Sequence, residues 1–266
     1  MIKHDLVVRR LFNIPFCCDP YEKISPLFKD KKFIVVPSGP GLSEIDTNPK
    51  YYDALQNADF ALPDSGLMVL LLKFISINIK KLSGPKFFRE LVQENTLKRE
   101  HSIFTIDPSD MLSENNRRYL NSIEIPITSA YQYVAPMYEV SDIVDPELIS
   151  VLEALPIPPD FILINLGGGI QERLGFYIKN KYSKSVNIIC TGAAISIING
   201  DQTNIKYWVD KYHLGWFKRI ISSPNPYFIR YVKAVRFIWI FFKYHRTPEA
   251  RIPSKVPGYS SKKRKC

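Results

Sequence analysis

The chain has 266 residues, 45% of them hydrophobic and 13% aromatic, with 36 Lys+Arg against 26 Asp+Glu. That suffices for one sizeable core, or a core with an appendage, and a charged fraction of 23% excludes collagen-like, coiled-coil and wholly disordered classes. The cysteines at 17, 18, 190 and 266 make no CxxC pair or disulfide framework, and the histidines at 4, 101, 213 and 245 have no metal-ligand spacing. The opening Met1-Ile2-Lys3-His4-Asp5 lacks the apolar run of a secretory signal, and no stretch reaches the ~18 uncharged apolar residues that span a bilayer. A reducing, cytoplasmic compartment is the expectation.

From Phe33 to Thr191 short apolar runs alternate with helix-length segments. Strands are predicted at 33–37, 102–106, 161–166 and 186–191, each bounded by Pro, Gly, Asp or Ser, as strands buried on both faces are. Helices are predicted over 42–57, 65–80, 85–99, 109–120, 145–155 and 171–182, with start signals at Asp64-Ser65 and Asp145-Pro146-Glu147. Such alternation predicts an α/β fold: a Rossmann-like, mostly parallel sheet with helices on both faces.

After Asn204 the character changes. From Lys206 on, 15 basic residues face two acids, Asp210 and Glu249, which leaves 21 basic and 24 acidic residues before it: −3 in the body and +13 in the tail. The expected division is a core over 1–204, a basic amphipathic helical appendage over 205–245 and a disordered basic tail over 246–266. Within 227–244, Arg230, Lys233, Arg236 and Lys243 share an arc of about 140°, opposite Phe228, Val232, Val235, Trp239 and Phe242. A helix of this kind is too short to span and suits the surface of an anionic membrane, though packing on the body or against a second copy would hide the same face.

In an open parallel sheet ligands bind beyond the carboxyl ends of strands, so the loops there carry the search. The first, Ser38-Gly39-Pro40-Gly41, offers backbone N–H groups to a phosphate, or is a plain tight turn. The second, Pro63-Asp64-Ser65-Gly66, places Asp64 either as a helix N-cap or as a general base. The third, Gly167-Gly168-Gly169-Ile170-Gln171-Glu172, reads as a close approach of backbone to ligand, with Gln171 and Glu172 reaching a sugar or ribose hydroxyl; a flexible turn is the alternative.

Together these segments resemble the WecG/TagA/CpsF family of glycosyltransferases, from about Leu6 to Tyr231. The family's N-x-A-D-x-x-x-P-D-G segment is matched from Asn57 through Asp64 to Gly66, and its R-x-x-G by Lys81-Leu82-Ser83-Gly84. Its L-G-x-P-K-Q-E is matched by the run from Leu166 to Glu172, and its G-G-A-F-D-F-x-x-G by the run from Gly192 to Gly200. The closing pattern of two Trp, R-L-x-x-x-P and R-Y is met by Trp208, Trp216, Arg219 to Pro224, and Arg230-Tyr231. The resemblance implies an inverting transfer, independent of metal or cofactor, from a UDP-sugar to a polyprenyl-diphosphate-linked sugar at the inner face of the cell membrane. It casts Asp64 as the catalytic base and Gln171 as a substrate contact, and it sets Arg219 and Arg230 against the donor diphosphate. Ser38, Gly39, Lys81, the three glycines from Gly167 to Gly169 and Glu172 complete the expected binding set. The chain departs at Pro37 and Gly39, where the family has Thr and Asn, at Gly169-Ile170 for Pro-Lys, and at Ser196 for Asp. A degenerate sugar-nucleotide binder of the same fold is therefore the alternative. A nucleic-acid-binding role for the tail is disfavoured, because its aromatics lie along one helix face and the body has no such motif.

Overall fold

The computed structural model describes residues 8–77, 79–94, 96–139, 142–200 and 235–244. In chain order the elements are β1 (Val8–Leu11), β2 (Ile14–Cys17), α1 (Tyr21–Ile24), β3 (Phe33–Val35), α2 (Gly39–Leu42), α3 (Pro49–Gln56), β4 (Phe60–Ala61), α4 (Gly66–Phe74), α5 (Gly84–Gln93), β5 (Ile103–Asp107), α6 (Asp110–Ser122), β6 (Gln132–Val134), α7 (Pro146–Ala154), β7 (Phe161–Ile164), α8 (Ile170–Lys181), β8 (Asn187–Cys190) and α9 (Ala194–Ile198). Residues 235–244 are also helical.

One eight-stranded sheet runs in the order β1-β2-β4-β3-β8-β7-β5-β6. Every pairing is parallel except β1 with β2. The expected α/β architecture is present, and the period-two alternation of the strands explains it. Phe33, Val35, Phe104, Ile106, Ile162, Ile164 and Ile188 point into one apolar layer with residues of α3, α4, α7 and α8. Ile34, Ile103, Phe161, Leu163 and Ile189 point into the other, against α5, α6 and α9. Strands with both faces covered read as unbroken apolar runs.

Several features differ from the sequence expectation, among them the helix expected over 85–99, which ends at Gln93. The helix expected over 42–57 is two: α2 ends at Leu42, and α3 starts afresh at Pro49, with Asn48 accepting the Tyr51 N–H at 3.0 Å. The helix expected to reach residue 80 stops at Phe74, and Ser76 turns the chain at φ 62°. At the front lies a hairpin with no glycine: Phe12 and Asn13 both take positive φ, 54° and 58°, as a two-residue type I′ turn requires. The Asp145 start signal is realised, its carboxylate accepting the Leu148 N–H at 2.9 Å.

The 235–244 helix joins the core through a face other than the one expected to be apolar. Phe237, Ile240, Phe241 and Tyr244 are buried, and Phe237 and Phe241 meet Phe12 edge-to-face at 5.8 and 6.0 Å. Arg236, expected on the basic face toward an anionic membrane, instead donates through Nη2 to both carboxylate oxygens of buried Asp46, at 2.8 and 2.9 Å. Val235, Trp239 and Phe242 are exposed. The spacing hid this because the helix carries two apolar stripes, and the wheel chose the outward one. The remainder of the appendage and the tail lie outside the described residues.

Candidate active site

The loops after β3, β4 and β7 lie at the same, carboxyl, edge of the sheet, because those strands are parallel and only β8 separates β3 from β7. In the first loop Ser38 caps α2, its hydroxyl accepting the Gly41 N–H at 3.3 Å. Its glycines are demanded by packing: a Cβ at Gly39 would stand 2.8 Å from Ser65 Oγ, and one at Gly41 2.7 Å from Tyr51 Oη. Gly39 thus lets the first loop close directly onto the second.

In the second loop the cap of α4 is Ser65, whose Oγ accepts the Met68 N–H at 3.2 Å. Asp64 is not the cap of its own helix. Its half-buried carboxylate accepts the N–H of Gly84, the first residue of α5, at 3.3 Å. The approach to α5 runs beside it, with the Leu82 N–H on the Pro63 carbonyl at 3.2 Å, and this brings half-buried Lys81 into the same neighbourhood.

The third loop stands open on its outer side. Gly167 and Gly168 are exposed; a Cβ at Gly167 would meet nothing within 4 Å, and one at Gly168 would lie 3.7 Å from Ser38 Oγ. First and third loops therefore face each other. Gly169 has φ +88°, a left-handed backbone that favours glycine. Glu172 is wholly buried and turns back on its own loop, accepting from the Gly169 N–H at 2.6 Å and the Gln171 amide at 3.2 Å. Its carboxyl supports the loop from beneath instead of reaching outward, and burial pushes its pKa up to about 7. Gln171 is also buried, with no hydrogen-bond partner for Oε1, and its amide lies about 3.5 Å from where a Cβ of Gly192 would be.

Asp64, Ser38, Gly39, Gly167, Gly168, Gly169 and Gln171 thus follow three strand ends at one edge of the sheet, β4, β3 and β7, and Lys81 joins them from the approach to α5. Arg219 and Arg230 lie outside the described residues. Sequence reading passed over Tyr51, Asn165 and Thr191, whose types carry no motif. Tyr51 is buried beneath the first loop with its hydroxyl unpaired, and burial raises its pKa, with Glu172 adding to the effect.

A doubly covered parallel sheet with loops gathered at its carboxyl edge, one carrying a carboxylate and another an exposed glycine run, has the layout of an α/β group-transfer enzyme. The chain belongs to the glycosyl transferase WecG/TagA/CpsF family, whose model matches residues 11–251. It is 22% identical over 202 residues to the N-acetylglucosaminyldiphosphoundecaprenol N-acetyl-beta-D-mannosaminyltransferase of Bacillus spizizenii, covering 74% of each chain. It is 21% identical over 175 residues to the protein of the same name from Bacillus subtilis, covering 65% of each.

Proposed function

We propose that this glycosyltransferase moves a sugar, with inversion and without metal, from a UDP-sugar to a saccharide carried on a polyprenyl diphosphate, in the assembly of a cell-envelope polysaccharide. The observation that carries this reading is the convergence of the Asp64 loop with the Ser38 and Gly167–Gly169 loops in a member of this family. The relatives named for N-acetylmannosaminyl transfer to N-acetylglucosaminyl-diphosphoundecaprenol support an acceptor and donor of that class.

In this mechanism the acceptor hydroxyl attacks the anomeric carbon of the donor while Asp64 takes its proton. The bond to the diphosphate breaks in the same displacement, the configuration inverts, and UDP departs with the electron pair. Gly84, donating to one carboxylate oxygen, holds Asp64 in orientation. The opposed Ser38 and glycine loops bind the nucleotide sugar, Gln171 and Lys81 adding polar and cationic contacts. Arg219 and Arg230 neutralise the leaving diphosphate, the role a cation must fill in a reaction of this charge.

The enzyme works at an anionic membrane surface. Supporting this, exposed Phe74 of α4 meets exposed Phe242 edge-to-face at 6.4 Å, with Leu70 of α4 and Val235 and Trp239 of the 235–244 helix also exposed and Lys243 over the Trp239 ring. An apolar patch with a lysine beside it suits an interfacial site. Because α4 begins two residues beyond Asp64 and has nine residues, its far end at Phe74 lies about 13 Å along the helix from that loop, near enough for a lipid-borne acceptor.

The test is a panel of UDP-sugars offered with a short polyprenyl-diphosphate N-acetylglucosamine, with and without EDTA, and with anionic or neutral liposomes. Transfer from one UDP-sugar that persists in EDTA, and pelleting with anionic liposomes that fails in a Phe74→Ser/Trp239→Ser variant, is expected. Binding of UDP with no transfer to any acceptor would favour the degenerate binder.

A further inference from the structure

Beneath the glycine loop lies a buried polar chain that the proposed reaction does not use. It starts at Asp107, the last residue of β5, whose side chain is fully buried. Asp107 Oδ1 accepts from Asn116 of α6 at 2.6 Å and from Asn165 at 2.8 Å, and Oδ2 accepts from Thr105 at 2.9 Å. Asn165 in turn accepts from the Thr191 hydroxyl at 2.6 Å. The chain thus crosses the carboxyl ends of β5, β7 and β8 just below the candidate site. Burial raises the Asp107 carboxyl above its ordinary range, while each of its donors pulls it back.

The links into Asp107 have one sense, and the single proton of the Thr191 hydroxyl has Asn165 at 2.6 Å and the Ile164 carbonyl at 3.1 Å as acceptors. Asp107 offers only acceptors when ionised, so Asn165 must turn its Nδ2 toward it and its Oδ1 toward Thr191. Fixing Asn165 fixes the residues next to it: Gly167 stands two positions on, and Thr191 is followed by Gly192, over which the Gln171 amide lies. A backbone bond reinforces the same seam, the Gly192 N–H reaching the Ile164 carbonyl at 3.1 Å. Buried polar networks specify one geometry more than they add stability.

We propose that Asp107 is a positioning residue: through Asn165 and Thr191 it sets where the Gly167–Gly169 loop and Gln171 stand toward the nucleotide sugar. The ligand in that statement rests on the function proposed above; the positioning itself does not.

The experiment uses the full chain and three variants. Asn165→Asp sets a second carboxylate against the first. The exchange Asp107→Asn/Asn165→Asp restores a donor facing an acceptor, and Asn116, whose Oδ1 has no hydrogen-bond partner, can turn its amide to suit. Asn116→Ala weakens the network on the α6 side alone. Amide hydrogen exchange and UDP affinity are measured at a temperature where every variant is folded. Asn165→Asp should speed exchange at Gly167, Gly168 and Gly192 while β3 and β7 stay protected, and should weaken UDP binding by about 10–100-fold, as lost outer contacts of a site do. The double exchange should return both to within about threefold, and Asn116→Ala should lower Tm without changing either. Uniformly faster exchange across the sheet, or loop exchange unchanged in Asn165→Asp, would overturn the proposal. So would a double variant that regains Tm but not loop protection. A wild-type chain that fails to bind UDP would refute the donor, and the exchange data would still decide the positioning.

Discussion

Glu172 permits a stability prediction with its sign and size set by the structure. A carboxyl lifted from 4.5 to about 7 by complete burial is disfavoured as the anion by about 3 kcal/mol once the pH passes both values. Below pH 4.5 both folded and unfolded chains carry the proton, and the group contributes nothing. Between 4.5 and about 7 the unfolded chain releases the proton while the folded chain keeps it, so stability falls as the pH rises; above 7 the loss is complete. Glu172→Gln removes the titration. Its carbonyl can still accept the Gly169 N–H, and its amide can donate to the unpaired Gln171 Oε1 if that side chain flips. Urea unfolding followed by circular dichroism from pH 4.5 to 8.5 should therefore show the variant level with wild type at the acid end. It should be about 2–3 kcal/mol more stable at pH 8. A variant destabilised equally at every pH would show that the loop N–H groups hold the anion without penalty, and the burial argument would fail.

Asp64→Asn should cut turnover by about 10²–10⁴-fold with UDP affinity retained, since the amide oxygen can still accept from Gly84; kcat and a separate binding titration check it. Gly168→Val should weaken UDP binding with Tm unchanged, because its Cβ meets Ser38 only at ordinary contact distance but fills the gap between the two loops. Arg236→Ala should lower stability by about 1–3 kcal/mol by stripping buried Asp46 of its guanidinium partner, read from the urea midpoint. No change would mean that the helix at 235–244 does not sit on the body in solution.

The strands that proved legible were those buried on both faces, since Phe161 to Ile164 and Asn187 to Cys190 are short, mostly aliphatic runs bounded by turn residues. The hairpin was not, because its turn uses Phe12 and Asn13 where a glycine would have announced it. Strand β6 is Gln-Tyr-Val at the sheet edge, with too little periodicity to stand out. At the site, the three loops could be found from glycine and position alone. Which of two adjacent capping residues capped could not: Asp64 and Ser65 are about equally favoured as N-caps, and the contact with Gly84, 20 positions away, separated them. Glu172 sat at the right place for a ligand contact, and only three-dimensional burial showed it turned inward. Asp107 and Asn165 gave no signal, because a hydrogen-bonded pair 58 residues apart leaves no local pattern.

The position of β8 in the sheet has a consequence for biosynthesis. The last strand among the described residues, β8, lies in the middle, between β3 and β7, so Phe33 pairs with Ile188 across some 155 positions of chain. Without β8 the earlier strands fall into two half-sheets with open apolar edges, β1-β2-β4-β3 on one side and β7-β5-β6 on the other. Neither the core layers nor the loop pairing of Ser38 with Gly168 can close in its absence. Such non-local closure folds slowly and exposes strand edges to other chains. A nascent chain stalled or cleaved short of Cys190 therefore presents open strand edges and is a ready substrate for chaperones.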